Sequence, residues 1–369
     1  LWTAAAVQES IGDNLMSKQL DDFKNEWQGK KLDFTAFFSK NPKTISNSRA
    51  NTLLECSLKH FMIYCEGMRI DKDVVGINLG KSGHMALEYY HKGPDNIPST
   101  IRHHNAIECF ENIWKNVDSL DLATSQAGRT TTADNKIIAS NLIDQYITNH
   151  EKIAANDDYR LVQYQFPGQK DPYTTVEMPF RIPIIDLNTG ATIVPDYDLI
   201  GVIDLIELYN NTAYIMDHKF LAIKPKEFFF QNDIQLVLYA YAFRFLAKNR
   251  VFLGITDETP SLVGFNWLLK PYKGWGGRKN PKYERITKDV SIEEINGVLN
   301  LLGDAIYNFE NGKPVPSYPE SCGWKCDLKE PCKAHRFMKN RLEAFEKEHG
   351  FKPTIHSYTN KKPDQTDLF

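Results

Sequence analysis

The stretch that most constrains this chain is GVIDLIELYNNTAYIMDHKF, residues 201–220. Two runs rich in Ile, Val, Leu and Tyr flank Asn210-Asn211, a pair suited to the tight turn of a β-hairpin. The pattern predicts strands over 198–209 and 212–219. Residues two apart in a strand point to one side, so Asp217 and Lys219 project together and His218 faces away. Asp204 sits on the first strand among Val202, Ile203, Leu205 and Ile206. Charged groups in such apolar strands are costly unless they meet other charges or a metal. Two carboxylates and a lysine converging on one spot have a chemical use. The carboxylates can hold a hard divalent cation through oxygen, and the lysine can neutralise charge developing on a phosphate.

Around this hairpin the chain alternates helical and extended signals. Helices are predicted at about 49–66, with Ser48 as N-cap, and near 80–91, 101–117, 133–155, 225–248 and 291–311. Further strands are predicted at 174–186 and 261–270. The expected class is α/β or α+β, with a helical N-terminal part. The expected organisation is an extension over 1–44, a helical part over 45–158, a central core over 159–315, a cysteine-rich clasp over 316–346 and a mobile tail over 347–369.

A hydrophobic fraction of 42% and a charged fraction of 25% are those of a soluble globular protein. No apolar run approaches the roughly 18 residues that span a bilayer, so no membrane partner is expected. The opening LWTAAAVQES lacks the basic and apolar regions of a secretory signal, which gives a cytoplasmic expectation. With a net charge of -3, any nucleic-acid surface must be a local basic patch. One such patch is Lys270 to Lys288, with seven Lys or Arg, one acidic residue, and Tyr272, Trp275 and Tyr283 interleaved. It reads equally as a surface loop or as a track for phosphates and unpaired bases. VVGINLGKSGH is not a P-loop, because only three residues separate Gly76 from Gly80. Gly80 and Gly83 read as a flexible entry to the helix carrying His84.

Gln235 and Tyr239 lie four apart on QNDIQLVLYAYAF, hence on one helix face. The joint order of His84, then GVID with Asp204, then DHK with Asp217 and Lys219, then QLVLY resembles the RecB-like branch of the PD-(D/E)XK nuclease superfamily. That branch includes AddB-type, CRISPR-associated and phage exonucleases. The resemblance covers residues 45–335. It implies a restriction-endonuclease-like core, a mixed sheet flanked by helices. It further implies that Asp204, Asp217, His84 and the His218 carbonyl bind Mg²⁺ or Mn²⁺, that Lys219 is the catalytic lysine, and that Gln235 and Tyr239 support the site and contact substrate phosphate. Glu177, which begins a strand of the same sheet, is a weaker candidate for the site and reads rather as structural. The implied activity is metal-dependent hydrolysis of DNA, on single strands or ends, in recombination, repair or phage replication. Two rivals stand beside it: an endonuclease on the same fold, and an inactive DNA-binding subunit.

Three of the six cysteines, Cys322, Cys326 and Cys332, fall within eleven residues, a clustering that points to metal. Cys56 lies far upstream in SNSRANTLLECSLKHFMIY. In the iron–sulfur members of the family one N-terminal and three C-terminal cysteines hold a 4Fe-4S cluster, and the resemblance implies that role for these four residues. The spacing departs from the family's, with three residues rather than two between the first pair of C-terminal cysteines. A local zinc site of Cys322, Cys326, Cys332 and His335 is the alternative. Cys65 and Cys109 read as buried thiols. The chain ends in QTDLF, which resembles the peptide by which bacterial replication proteins grip a sliding clamp. Gln365, Leu368 and Phe369 would be the gripping residues.

Overall fold

The computed structural model describes residues 43–65, 67–70, 75–93, 97–118, 132–166, 170–221, 224–271, 280–312, 314, 326, 328 and 351–353. All of them belong to one unit, 43–354. The expected sites at Tyr272, Trp275, Cys322, Cys332, His335, Gln365, Leu368 and Phe369 lie outside the described residues.

The core is a mixed sheet built around one long strand. β1 (Lys43–Ser46) opens the described chain. The helical turns α1 (Asn47–Glu55) and α2 (Ser57–His60) follow, and a π-helical turn (Phe61–Cys65) leads to β2 (Met68–Ile70). Three long helices come next: α3 (Val75–Lys92), α4 (Ser99–Asp118) and α5 (Thr132–Ala154). Short strands β3 (Arg160–Leu161), β4 (Gln163–Tyr164) and β5 (Tyr173–Thr174) precede β6 (Val176–Pro183), β7 (Tyr197–Tyr209) and β8 (Thr212–Leu221). The chain continues through α6 (Glu227–Gln231), α7 (Ile234–Lys248), β9 (Ser261–Leu269), β10 (Lys282–Lys288) and α8 (Ile292–Asn311). β11 (Phe351–Pro353), in the stretch expected as a mobile tail, pairs antiparallel with β2.

β7 carries partners on both edges. On one edge β6 pairs antiparallel over Leu199–Ile182 to Leu205–Val176, and β3 follows at 207–208. On the other edge β1 runs parallel at Tyr197–Ile200, and β8 runs antiparallel from Tyr209–Thr212 to Leu205–Met216. Beyond β8 come parallel β9 and antiparallel β10.

Both faces of this sheet are covered. Helices α3–α5 pack Leu79, Leu87, Tyr90, Phe110, Leu142, Ile143 and Tyr146 over Leu268. The opposite face takes α7, whose buried residues run unbroken from Leu236 to Phe243. A helix apolar all round is one enclosed between layers, here between the sheet and α8.

Several boundaries differ from expectation for local reasons. The first helix is capped by Ser46, which accepts from Arg49 N at 3.4 Å, rather than by Ser48. The predicted 225–248 helix is broken: Asp233 caps α7 by accepting from Leu236 N at 3.3 Å, which ends α6 before it. Part of the basic stretch expected as a loop is β10, where Tyr283 and Arg285 point into the protein. Gly80 and Gly83 lie within α3, not in a flexible entry to it. A Cβ on Gly83 would come within 2.1 Å of the Phe220 ring, so this glycine serves close helix–sheet packing. Cys109 is buried as expected, whereas Cys65 ends the π-turn at the surface.

Candidate active site

The site forms where β7 and β8 part. Their ladder stops at Leu205–Met216, so Asp204 and Asp217 would be the next facing pair. Instead Asp204 Oδ2 accepts from the backbone N–H of His218 at 2.7 Å. From there β8 follows β9 alone, up to Leu221–Leu269. Both carboxylates are buried, at 7% and 2% exposure.

A first group gathers around Asp204. His84 Nδ1, from α3, lies 3.3 Å from Asp204 Oδ2 and 3.6 Å from Glu177 Oε1. One donor atom from each of His84, Glu177 and Asp204 can be chosen so that all lie within 4.8 Å of one another. Glu177 faces Asp204 across β6 and β7, between the Val176–Leu205 and Met178–Ile203 pairs. Its φ of 49° is left-handed, a strained state for a non-glycine residue and one that accumulates at functional sites.

A second group stands on Asp217. Lys219 Nζ is 2.7 Å from Asp217 Oδ2. Gln235 of α7 joins the two, donating to Asp217 Oδ1 at 2.6 Å and accepting from Lys219 at 3.0 Å. Tyr239, one turn further, is within 2.9 Å of Gln235 Nε2, and its hydroxyl donates to the Val202 carbonyl at 2.8 Å. Lys219 thus has a fixed address, with a third of its side chain still open to solvent.

The electrostatics follow from this crowding. Burial, and then the charge of Asp217, pushes Asp204 up to about 8. Burial alone would lower His84, but the Asp204 and Glu177 carboxylates outweigh it and raise it to about 9. Lys219 is likewise raised, because Asp217 outweighs its burial. Asp204, buried and crowded by neighbouring carboxylates, therefore retains its proton above the usual carboxylate range.

Behind the site lies a buried polar network. Glu207, 1% exposed, pairs with His150 Nε2 at 2.7 Å and with Arg285 at 2.5 Å. His91 meets the Tyr146 hydroxyl at 2.7 Å and stacks on His218 with ring centroids 6.3 Å apart. Asn266 reaches His218 Nδ1 at 3.3 Å and accepts from Tyr283 at 2.8 Å. Burial keeps His91 and His218 well below the usual histidine range, hence neutral.

A family model of the PD-(D/E)XK nuclease superfamily matches residues 44–333. The chain belongs to this superfamily. In the terms of the PD-(D/E)XK nucleases, the fold is a restriction-endonuclease-like α/β core, a mixed sheet flanked by helices. The chain is similar to a solved structure from Eubacterium rectale, a protein proposed to be an exonuclease. Identity is 14% and the TM-score 0.43, over 82% of this chain and 94% of that one. No curated protein matches it. Among the described residues no helix is long and apolar enough to cross a membrane.

This PD-(D/E)XK chain brings together His84, Asp204, Asp217, Lys219, Gln235 and Tyr239, all the side chains that sequence singled out for the centre. His218 contributes its backbone at the fork and turns its ring into the buried network. Glu177, weighed as the weaker candidate, stands among them. Its signal lay in the backbone: a left-handed glutamate opposite Asp204 is invisible in a sequence pattern. Of the expected cluster ligands, Cys56 and Cys326 are described, and Cys326 packs against the apolar cluster of Cys56, Leu58, Met62 and Leu328.

Proposed function

We propose that this protein is a divalent-metal-dependent deoxyribonuclease, acting as an exonuclease on single-stranded DNA or DNA ends. The observation that carries this reading is the convergence of Asp204, Glu177 and His84 beside the Asp217–Lys219 pair. The donors fit a small divalent cation. Carboxylate oxygens suit Mg²⁺ or Mn²⁺, and the imidazole tilts the set towards Mn²⁺. His84, Glu177, Asp204 and Asp217 would hold it, with the His218 carbonyl as a further donor. Such a cation supplies Lewis acidity towards a phosphodiester oxygen and lowers the cost of activating water. Lys219 places a point charge where negative charge grows on the phosphate. Gln235 and Tyr239 fix the direction of Asp217 and Lys219.

End-labelled single-stranded, double-stranded and circular DNA, incubated with Mn²⁺ or Mg²⁺, test the reading. Linear strands should be degraded, circles should resist, and chelation should stop the reaction. Lys219→Ala should abolish cleavage while the fold persists. Cleaved circles would favour an endonuclease, and full activity of Lys219→Ala would remove the assignment.

A second site is proposed at the cysteines: a 4Fe-4S cluster held by Cys56, Cys322, Cys326 and Cys332. Its support is the meeting of Cys326 with the Cys56 cluster across the length of the chain. A local zinc site with His335 has no use for Cys56.

A further inference from the structure

Helix α6 carries three consecutive phenylalanines with opposite fates. Phe230 is 1% exposed, whereas Phe228 and Phe229 are 70% and 60% exposed. Phe230 packs on Phe265 and Trp267, with centroids 6.0 and 5.9 Å away. Phe265 also lies under the catalytic-type lysine, its centroid 5.5 Å from Lys219 Nζ. One ring therefore touches both the lysine and the anchor of α6. Lys288 ties the end of the helix down by donating to the Gln231 carbonyl at 2.5 Å. The two exposed rings are thus carried on a short helix whose buried ring packs against Phe265, the ring that lies under Lys219.

Their surroundings suit a phosphate backbone more than an apolar partner. Lys224 and Lys226 are exposed beside them, and Lys282 lies near Lys224 through their shared partner Glu284. The acidic residues here are engaged: Glu284 by the two lysines, and Glu227 by Gln231 at 2.7 Å. The two rings are 5.8 Å apart with planes at 77°. Bases of a duplex stay parallel, so a duplex cannot stack on both rings. A single strand that turns between two nucleotides can lay one base on each.

We propose that Phe228 and Phe229 form a stacking platform for two unpaired bases of single-stranded DNA, next to the phosphate held at Lys219. The platform rests on the nuclease reading and gives it a source of strand preference. It is separate from the metal centre, since neither ring belongs to the acidic cluster.

The test measures binding of a fluorescein-labelled oligothymidylate, and of the duplex it forms with oligodeoxyadenylate, to the full chain in EDTA. Phe228→Ala with Phe229→Ala should weaken the single strand roughly tenfold or more and leave the duplex within about twofold. Phe228→Trp with Phe229→Trp should bind the single strand like the wild type. Unchanged binding by the alanine pair, equal losses on both DNAs, or a tryptophan pair as weak as the alanine pair would overturn the platform. If the wild type cleaves DNA while the alanine pair binds the single strand normally, only the platform fails. If the wild type neither binds nor cleaves DNA with Mn²⁺, the nuclease reading itself fails.

Discussion

Gln235 donates to Asp217 Oδ1 at 2.6 Å while its own carbonyl oxygen accepts from Lys219. A single amide thus sets the direction of a proposed metal ligand and of the proposed catalytic lysine. Gln235→Leu removes both bonds and keeps the volume. Cleavage rate should fall roughly ten- to hundredfold, the usual cost of losing a group that orients ligands. Circular dichroism should change little, whereas the metal concentration for half-maximal activity should rise as Asp217 loses its orientation. An unaltered rate would show that Lys219 finds its place without the amide.

The acidic cluster predicts that the proposed metal use depends on pH. Asp204, raised to about 8, and His84, raised to about 9, hold protons that a cation must displace. Affinity for Mn²⁺ should rise with pH across this range and level off above it. Half-maximal activity should need about tenfold more Mn²⁺ per pH unit lowered for each proton displaced. Activity titrations at several pH values check the sign, and a flat profile would contradict it.

Glu207 predicts a stability effect of the same pH sense but in a more acidic range. Burial would raise its carboxyl, but Arg285 and then His150 outweigh burial and hold it well below the usual range. A depressed value stabilises the fold above the unfolded carboxylate value of about 4.3, and that contribution is lost as pH falls below it. Glu207→Gln leaves Arg285 without its buried partner and should cost about 3–5 kcal/mol at neutral pH. Denaturant unfolding should show the gap between variant and wild type closing in acid.

The cysteine site is checked by colour. Protein purified without oxygen should be brown, and Cys56→Ser should bleach and destabilise it, since cluster binding contributes folding free energy. Colourless protein with one bound zinc, unaffected by Cys56→Ser, would place the metal with His335 instead.

The hairpin was the most legible part of the chain. Its strands alternate clearly, and Asn210 and Asn211 take the positive φ values, 48° and 55°, that a tight hairpin turn demands. The same period placed Asp217 with Lys219, and helical spacing placed Gln235 with Tyr239. β1 was not legible, because four residues of KTIS carry too short a pattern. β10 was hidden by its charge: Arg285 points inward only because Glu207, from another strand, waits for it. The placement of Glu177 beside Asp204 depends on a backbone twist, and the exposed rings of α6 depend on where one helix ends. Neither leaves a mark in residue order.

The fork between β7 and β8 has one more consequence. β7 keeps β6 along one edge while β8 keeps β9 along its own. Asp204 rides on one tine and Asp217 on the other, and the bond from the His218 N–H to Asp204 ties the tines together across the opening. The spacing of the two carboxylates is therefore held by main chain on both sides, not by side-chain rotamers alone.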